Sequence, residues 1–225
     1  MYPLLTLCGA VSICMTGRII DYYCVHFLGF DNKQFYRLLG KTTSHVLRLL
    51  IISLCATRIY SLYNNYHAPM NITQQLRKTD AERNICVGSE WHRFPGSFFI
   101  PFNYHLRFIS SNFNGILPAY FDQSENSTSI MHSHFNNMNR ANEYMLFNIS
   151  DCDFLINFND GSLYNSLDTE PNYSKDTETW ETINSVTFLN IEISKRIYRA
   201  FYIPFLTSKH VNYGSYDLLK RKLMS

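Results

Sequence analysis

The chain opens on an apolar run, "YPLLTLCGAVSICM" from Tyr2 to Met15, and carries a second, "HVLRLLIISLCATRIYSLY", from His45 to Tyr63. The first falls short of the about 20 residues that a membrane-crossing helix needs and reads as a helix cut short at its front. No positive charge precedes it, so it lacks the charged start of a secretory signal peptide. The second is long enough, with Arg48 and Arg58 near its ends, where their heads can reach lipid head groups. The same pattern also suits an amphipathic helix lying on a core or an interface. Between the two runs Arg18, Lys33, Arg37 and Lys41 outnumber Asp21 and Asp31, and short basic loops stay cytosolic. Both helices then point away from that loop, which places the chain after Tyr66 in a lumen or outside the cell.

Beyond Tyr66 no apolar run reaches spanning length. "NICVG", "SFFIP", "LRFIS", "CDFLINF" and "RAFYIPF" are short apolar or aromatic runs bounded by Gly, Pro, Asn or Ser, the punctuation of strands. In "KDTETWETINSVTFLNIEISKRIYRAF" the caps and spaced apolar residues from Thr179 to Ile183 predict a helix in the first part, against a high density of β-branched residues. Residues Gln123 to Asn142 turn to Ser, Asn, His and Met without period and read as a surface loop. There is no internal repeat. The expected fold class is membrane α-helices, one or two spans, followed by an α+β lumenal domain. Residues 1–66 hold the helices and their cytosolic loop, and residues 67–225 the domain.

Composition narrows the function. Charged residues make up only 17% of the chain and aromatics 16%, a balance that fits a membrane-associated or glycan-facing protein. The net charge of +2 comes from scattered Lys and Arg, with no basic stripe of the kind a phosphate backbone requires, so nucleic acid is not an expected partner.

Four glycosylation sequons, at Asn71, Asn126, Asn148 and Asn172, all follow the second helix. A chain rich in Asn, Ser and Thr yields such triplets by chance, so their number is not evidence. Cys86 and Cys152 lie beyond the helices, where an oxidising compartment would let them pair, the alternative being two buried thiols. His132 and His134 lack a nearby third ligand for zinc. Asp151 and Asp153 have the form of an acidic pair that holds a divalent metal; on a strand they would share a face, as two solvated carboxylates would equally do. No metal site is expected. Gly-rich phosphate loops and the common hydrolase motifs are absent. In "ICVGSEWHRFPGSFFIP", Glu90, Trp91, His92 and Arg93 form a substrate-binding candidate: Glu90 as base, Trp91 stacked on a sugar ring, Arg93 clamping phosphate. The plainer alternative is a strand end where Trp91 and Phe94 pack and Glu90 pairs with Arg93.

That stretch, followed by "LRFISSNFNGILPAYF", resembles the lumenal C-terminal portion of the dolichyl-phosphate-mannose-dependent α-1,2-mannosyltransferases of asparagine-linked glycan assembly, glycosyltransferase family 22. "YPLLTLCGAVSI", "YHAPMNI" and "RAFYIPFLTSKHVNYGSYDLLKR" agree in the same order, so the likeness spans nearly the whole chain. Gln123 to Asn142 matches poorly, and Asp151 and Asp153 stand where the family shows no acid pair. The resemblance implies an endoplasmic reticulum membrane protein with its bulk lumenal, taking part in an inverting transfer of mannose. The donor would be dolichyl phosphate mannose, the acceptor a lipid-linked oligosaccharide, and no cofactor is needed. Family members look longer, with catalytic acids in the first lumenal loop, so the catalytic residues are expected outside this chain and the chain alone is expected to be inactive. The rival reading is a non-catalytic, membrane-anchored lumenal module that binds glycan or protein.

Overall fold

The computed structural model describes residues 15–16, 18–19, 22–23, 33–92, 99–118, 125–126, 129, 136–140, 143–161 and 171–222. The first apolar run up to Cys14 lies outside them. The chain groups into two compact units, Met1–Ser61 with Ala200–Ile203, and Leu62–Arg199 with Pro204–Ser225.

Helix α1 runs from Lys33 to Tyr66, 34 residues. From Lys41 onward it contains neither Gly nor Pro, and nothing in its backbone interrupts the i to i−4 bonding. Lys41–Tyr66, whose most apolar 18 residues have a mean hydropathy of 1.5, is the one helix among the described residues long and apolar enough to cross a membrane. At 1.5 Å per residue this stretch reaches about 39 Å, beyond the ~30 Å of a bilayer's hydrocarbon. Leu49, Leu50, Ile52 and Ile59 are exposed along it. Two of its hydroxyls bond back to the helix, Thr42 donating to the Leu38 carbonyl and Thr57 to that of Leu54, both at 2.9 Å, so neither presents an unsatisfied donor. Within the same unit Arg58 donates from Nη1 to the Ala200 carbonyl at 2.9 Å, and the Tyr60 and Tyr202 rings meet at 4.5 Å. Lys33, Arg37 and Lys41, expected in a loop, are helical residues.

The second unit is built on a five-stranded mixed sheet. Its strands are β1 (Arg83–Val87), β2 (Tyr104–Phe108), β3 (Phe154–Asn159), β4 (Trp180–Leu189) and β5 (Tyr213–Arg221). Their spatial order is β2-β1-β3-β5-β4. β1 lies parallel to β2 and β3, whereas β5 is antiparallel to β3 and β4. Successive side chains alternate between its two faces, and both faces are covered. Ile85, Val87, Ile156, Tyr216, Leu218 and Phe188 pack on one face with Ala68 and Ile72, which come from α2 (Ala68–Asn71) and the turn after it. Pro69 occupies the first turn of α2, where its missing N–H leaves nothing unbonded. Cys86, Leu155, Leu219, Trp180 and Cys152 fill the other face. Two further short helices, α3 (Arg196–Ala200) and α4 (Thr207–His210), precede β5.

The structure corrects three expectations. The segment from Thr179 to Ile183 is not helical: Trp180 opens β4, and its β-branched neighbours pair antiparallel with β5, a cross-strand gain that outweighs local capping signals. In "SFFIP", Ser97 and Phe98 lie outside the described residues. Phe99 and Ile100 are not strand; the Tyr104 N–H closes a turn on the Pro101 carbonyl at 3.0 Å, leaving Phe102 97% exposed. "RAFYIPF" begins in α3 and continues as turns, with Phe205 at φ +64°. Of the predicted loop from Gln123 to Asn142, residues 125–126, 129 and 136–140 are described, without strand or α-helix.

Cys86 and Cys152 are joined by a disulfide, with Cα atoms 5.9 Å apart and a sequence separation of 66. On the chain-entropy model, opening so long a loop removes about 4 kcal/mol of stability. A Cys86→Ala, Cys152→Ala double variant is expected to lose that much in a urea titration of the full chain followed by tryptophan fluorescence. An unchanged midpoint would show that the bond does not hold the fold.

Candidate functional site

The Glu90 cluster sits where β1 ends. After Val87 the chain closes a 3-10 turn over Ser89–His92, the Trp91 N–H donating to the Gly88 carbonyl at 3.1 Å. A turn this tight sends successive side chains in different directions. Glu90 is buried, 7% exposed. The Trp91 ring is half-buried, tilted 39° against Phe113 at a centroid distance of 4.6 Å, and packs on the core built around β1 as well as on the cluster of Phe108, Leu117 and Met145. His92 is exposed, its Nδ1 3.0 Å from the Ser89 carbonyl. Arg93 and Phe94 lie outside the described residues, so their share in either reading of this stretch does too. Glu90 and His92 therefore differ in environment, one inside and one in solvent, and Trp91 acts as packing between two clusters.

Asp151 and Asp153 do not share the face of a strand. Asp151 ends the 3-10 turn Ile149–Asp151 and is exposed; Asp153 precedes β3. Asp153 meets Arg83 Nη1 at 2.7 Å through Oδ1 and accepts the Asn84 N–H at 2.9 Å through Oδ2, so its carboxylate is taken up by β1. Among the described residues no three His, Cys, Asp or Glu side chains converge to hold a metal. His132 and His134 lie outside them.

The sequons differ in surroundings. Asn148 caps the turn Ile149–Asp151, accepting the Ser150 N–H at 3.1 Å, and remains exposed. Asn126 is exposed in a turn, and Asn71 accepts from Gln74 Nε2 at 3.1 Å. Asn172 is 3% exposed. Its Nδ2, the atom a glycan would occupy, donates to Asn159 Oδ1 at 2.9 Å, and its Oδ1 accepts from Asn157 at 2.9 Å. A glycan at Asn172 would break this buried network, so the folded domain excludes it. Nearby, the Thr179 N–H donates to Asp176 Oδ1 at 3.1 Å at the head of β4, and this bond holds the Asp176 carboxyl below the usual carboxylate range.

These features define a class, a disulfide-bonded α+β domain entered from one long apolar helix. Residues 1–101, which include that helix, β1 and the Glu90 turn, match the Alg9-like mannosyltransferase family. The chain is similar to alpha-1,2-mannosyltransferase Alg9 of Drosophila melanogaster, 41% identical over 240 residues, covering 99% of this chain and 37% of that protein. Against alpha-1,2-mannosyltransferase ALG9 of Homo sapiens the identity is 33% over 236 residues, covering 98% and 37%. Against its namesake in Arabidopsis thaliana it is 35% over 189 residues, covering 80% and 32%. No solved structure matches. The chain belongs to the Alg9-like mannosyltransferase family, as its motif blocks implied, and it spans about 37% of the length of the first two of these curated relatives.

If Trp91 is packing rather than a sugar platform, Trp91→Ala removes about 3 kcal/mol of stability and Trp91→Phe restores most of it. Urea unfolding of both variants is the check. Unaltered stability in Trp91→Ala would return the ring to the list of glycan contacts.

Proposed function

We propose that this chain is the C-terminal, lumenal part of an α-1,2-mannosyltransferase of the endoplasmic reticulum membrane. In that reading Lys41–Tyr66 crosses the bilayer and the sheet domain lies in the lumen. The observation that carries it is the 41% identity, over 99% of the chain, to a protein named alpha-1,2-mannosyltransferase. The apolar helix and the disulfide support it, since disulfides persist in oxidising compartments.

The reaction is one inverting displacement. A mannose hydroxyl of the lipid-linked oligosaccharide attacks the anomeric carbon of dolichyl phosphate mannose, forming the new glycosidic bond as the bond from that carbon to the phosphate oxygen breaks. A carboxylate takes the hydroxyl proton, and dolichyl phosphate leaves with the electron pair. Cationic side chains or helix N-termini suffice to stabilise the departing phosphate, so the chemistry calls for no cofactor. The base must come within about 3 Å of the hydroxyl. Asp153 is committed to Arg83 and Asn84, and Glu90 is buried beside the core, so neither is placed as that base. We assign the base to sequence outside this chain, and the sheet domain to supporting the acceptor side.

The isolated chain is therefore expected to transfer no labelled mannose from dolichyl phosphate mannose to the lipid-linked acceptor in membranes lacking the endogenous enzyme. Exchanged for the corresponding segment of a full-length relative, it is expected to sustain transfer. Failure of the exchanged enzyme, if it reaches the membrane in normal amount, overturns the family function; transfer by the isolated chain, lost in Glu90→Gln, makes the turn catalytic. Orientation has its own test. In microsomes at least one of Asn71, Asn126 and Asn148 is expected to carry a glycan, and the lack of any glycosidase-sensitive shift would reverse the lumenal placement.

A further inference from the structure

At the end of the sheet where β1, β2 and β3 begin and β5 finishes, the second unit holds a half-open pocket of about 330 Å³, on whose rim Arg77 and Lys220 are exposed. Arg77, Arg83, Lys220 and Arg221 line it, against a single carboxylate, Asp153, with Thr79 and the rings of Tyr104 and Phe154 completing the wall. The cations are not equivalent. Arg83 is paired with Asp153 at 2.7 Å. Arg221 lies over the Trp180 ring at 4.7 Å and donates to the carbonyls of Cys152 and Ile149, so its head is held in place while its charge remains. Arg77 and Lys220 make no side-chain hydrogen bond or ion pair with any described residue. Glu181 stands opposite Lys220 in the β4–β5 register without forming an ion pair with it. The loop carrying Arg77 is nonetheless held, because the Tyr104 hydroxyl donates to the Arg77 carbonyl at 2.9 Å. Burial pushes the Tyr104 phenol up from its ordinary value. The Tyr104 and Phe154 rings stand 5.7 Å apart, tilted by 53°, and offer apolar faces beside the cations.

We propose that this cavity binds a phosphate-bearing ligand, clamped between the guanidinium of Arg77 and the ammonium of Lys220, with the carbon skeleton beside the phosphate against Tyr104 and Phe154. Four cations around one carboxylate leave a surplus of positive charge that a dianion neutralises. Charge-assisted hydrogen bonds from a guanidinium and an ammonium to phosphate oxygens are among the stronger polar contacts. The volume is at the small end of ligand sites, enough for a phosphate and about one ring but not for an oligosaccharide. The phosphate can arrive on a soluble sugar or as a lipid head group. The inference does not rest on the transferase reading, because it concerns binding at residues to which that reading gives no role.

The test uses the full chain in phosphatidylcholine nanodiscs, titrated calorimetrically with inorganic pyrophosphate and with a hexose 1-phosphate. Binding of at least one probe is expected, weakening as salt is raised. An Arg77→Ala, Lys220→Ala double variant should bind about tenfold or more weakly with an unchanged thermal midpoint, since neither side chain supports the fold. Nanodiscs that also contain a polyprenyl phosphate separate the sources. Suppressed probe binding there supports a lipid head group as the natural ligand, and undiminished binding supports a soluble phosphate ester. No binding of either probe at millimolar concentration in plain nanodiscs, or binding that the double variant leaves intact, overturns the proposal. Neither result depends on mannose transfer, so this site can fail while the transferase reading stands, and the reverse.

Discussion

Three strands of the sheet are fastened at Cys152 and Asp153. Cys152 is bonded to Cys86 of β1; the Asp153 N–H donates to the Asn84 carbonyl at 3.1 Å while its Oδ2 accepts the Asn84 N–H at 2.9 Å. From the other side the Arg221 N–H of β5 donates to the Asp153 carbonyl at 2.9 Å, and Arg221 Nε to that of Cys152 at 2.9 Å. β1 and β3 are parallel and far apart in sequence, so their pairing carries a large loop-closure entropy. A covalent bond and a half-buried carboxylate at the same point offset that entropy. The register of β1 on β3 and of β3 on β5 follows from this one fastening.

With the strands so placed, the sheet has to accommodate polar residues inside it. Asp217 is 3% exposed on β5, yet Ser185 of β4 donates to its Oδ1 at 2.6 Å and Ser215 to its Oδ2 at 3.1 Å. Asn157, its partner on β3, bonds to Asn172 and Ser174, each at 2.9 Å. Such a chain of satisfied groups tolerates no strand slippage, because a one-residue shift would strand each of them against an apolar neighbour. Close approach adds a second restriction: a Cβ at Gly214 would fall 2.5 Å from the Asn159 carbonyl, so only glycine fits beside β3 there.

The same fastening separates the two ends of the sheet. At the C-terminal end of β1 the turn Ser89–His92 folds Trp91 into the core and leaves His92 outside, which makes it a support. At the opposite end, residues committed to structure, Arg83 with Asp153 and Arg221 with Trp180, frame a cavity in which Arg77 and Lys220 are left over. A domain whose free cations stand together, beside aromatic rings, has kept charge that its own fold does not use. Beside the glycan-facing chemistry expected at Trp91 and Arg93, of which Arg93 lies outside the described residues, stands a second place to look for a ligand, made of residues that no motif singled out.

By itself the sequence determined the features that depend on local chemistry: the apolar helix, the strands in "NICVG" and "CDFLINF", the family from its long motif blocks, and cysteines placed where they can pair. Tertiary structure decided the rest, because β-pairing energy comes from neighbours remote in sequence. Helical capping signals around Thr179 gave way to β4 once β5 lay alongside. "YGSYDLLKR" hid its strand because Asp217 and Gly214 look like loop residues until Ser185, Ser215 and the Asn159 carbonyl are set beside them. Asn172 matched a glycosylation triplet until folding buried its amide. The cavity draws on residues from Arg77 to Arg221 that share no spacing, and only strand order and register bring their charges to one end of the sheet.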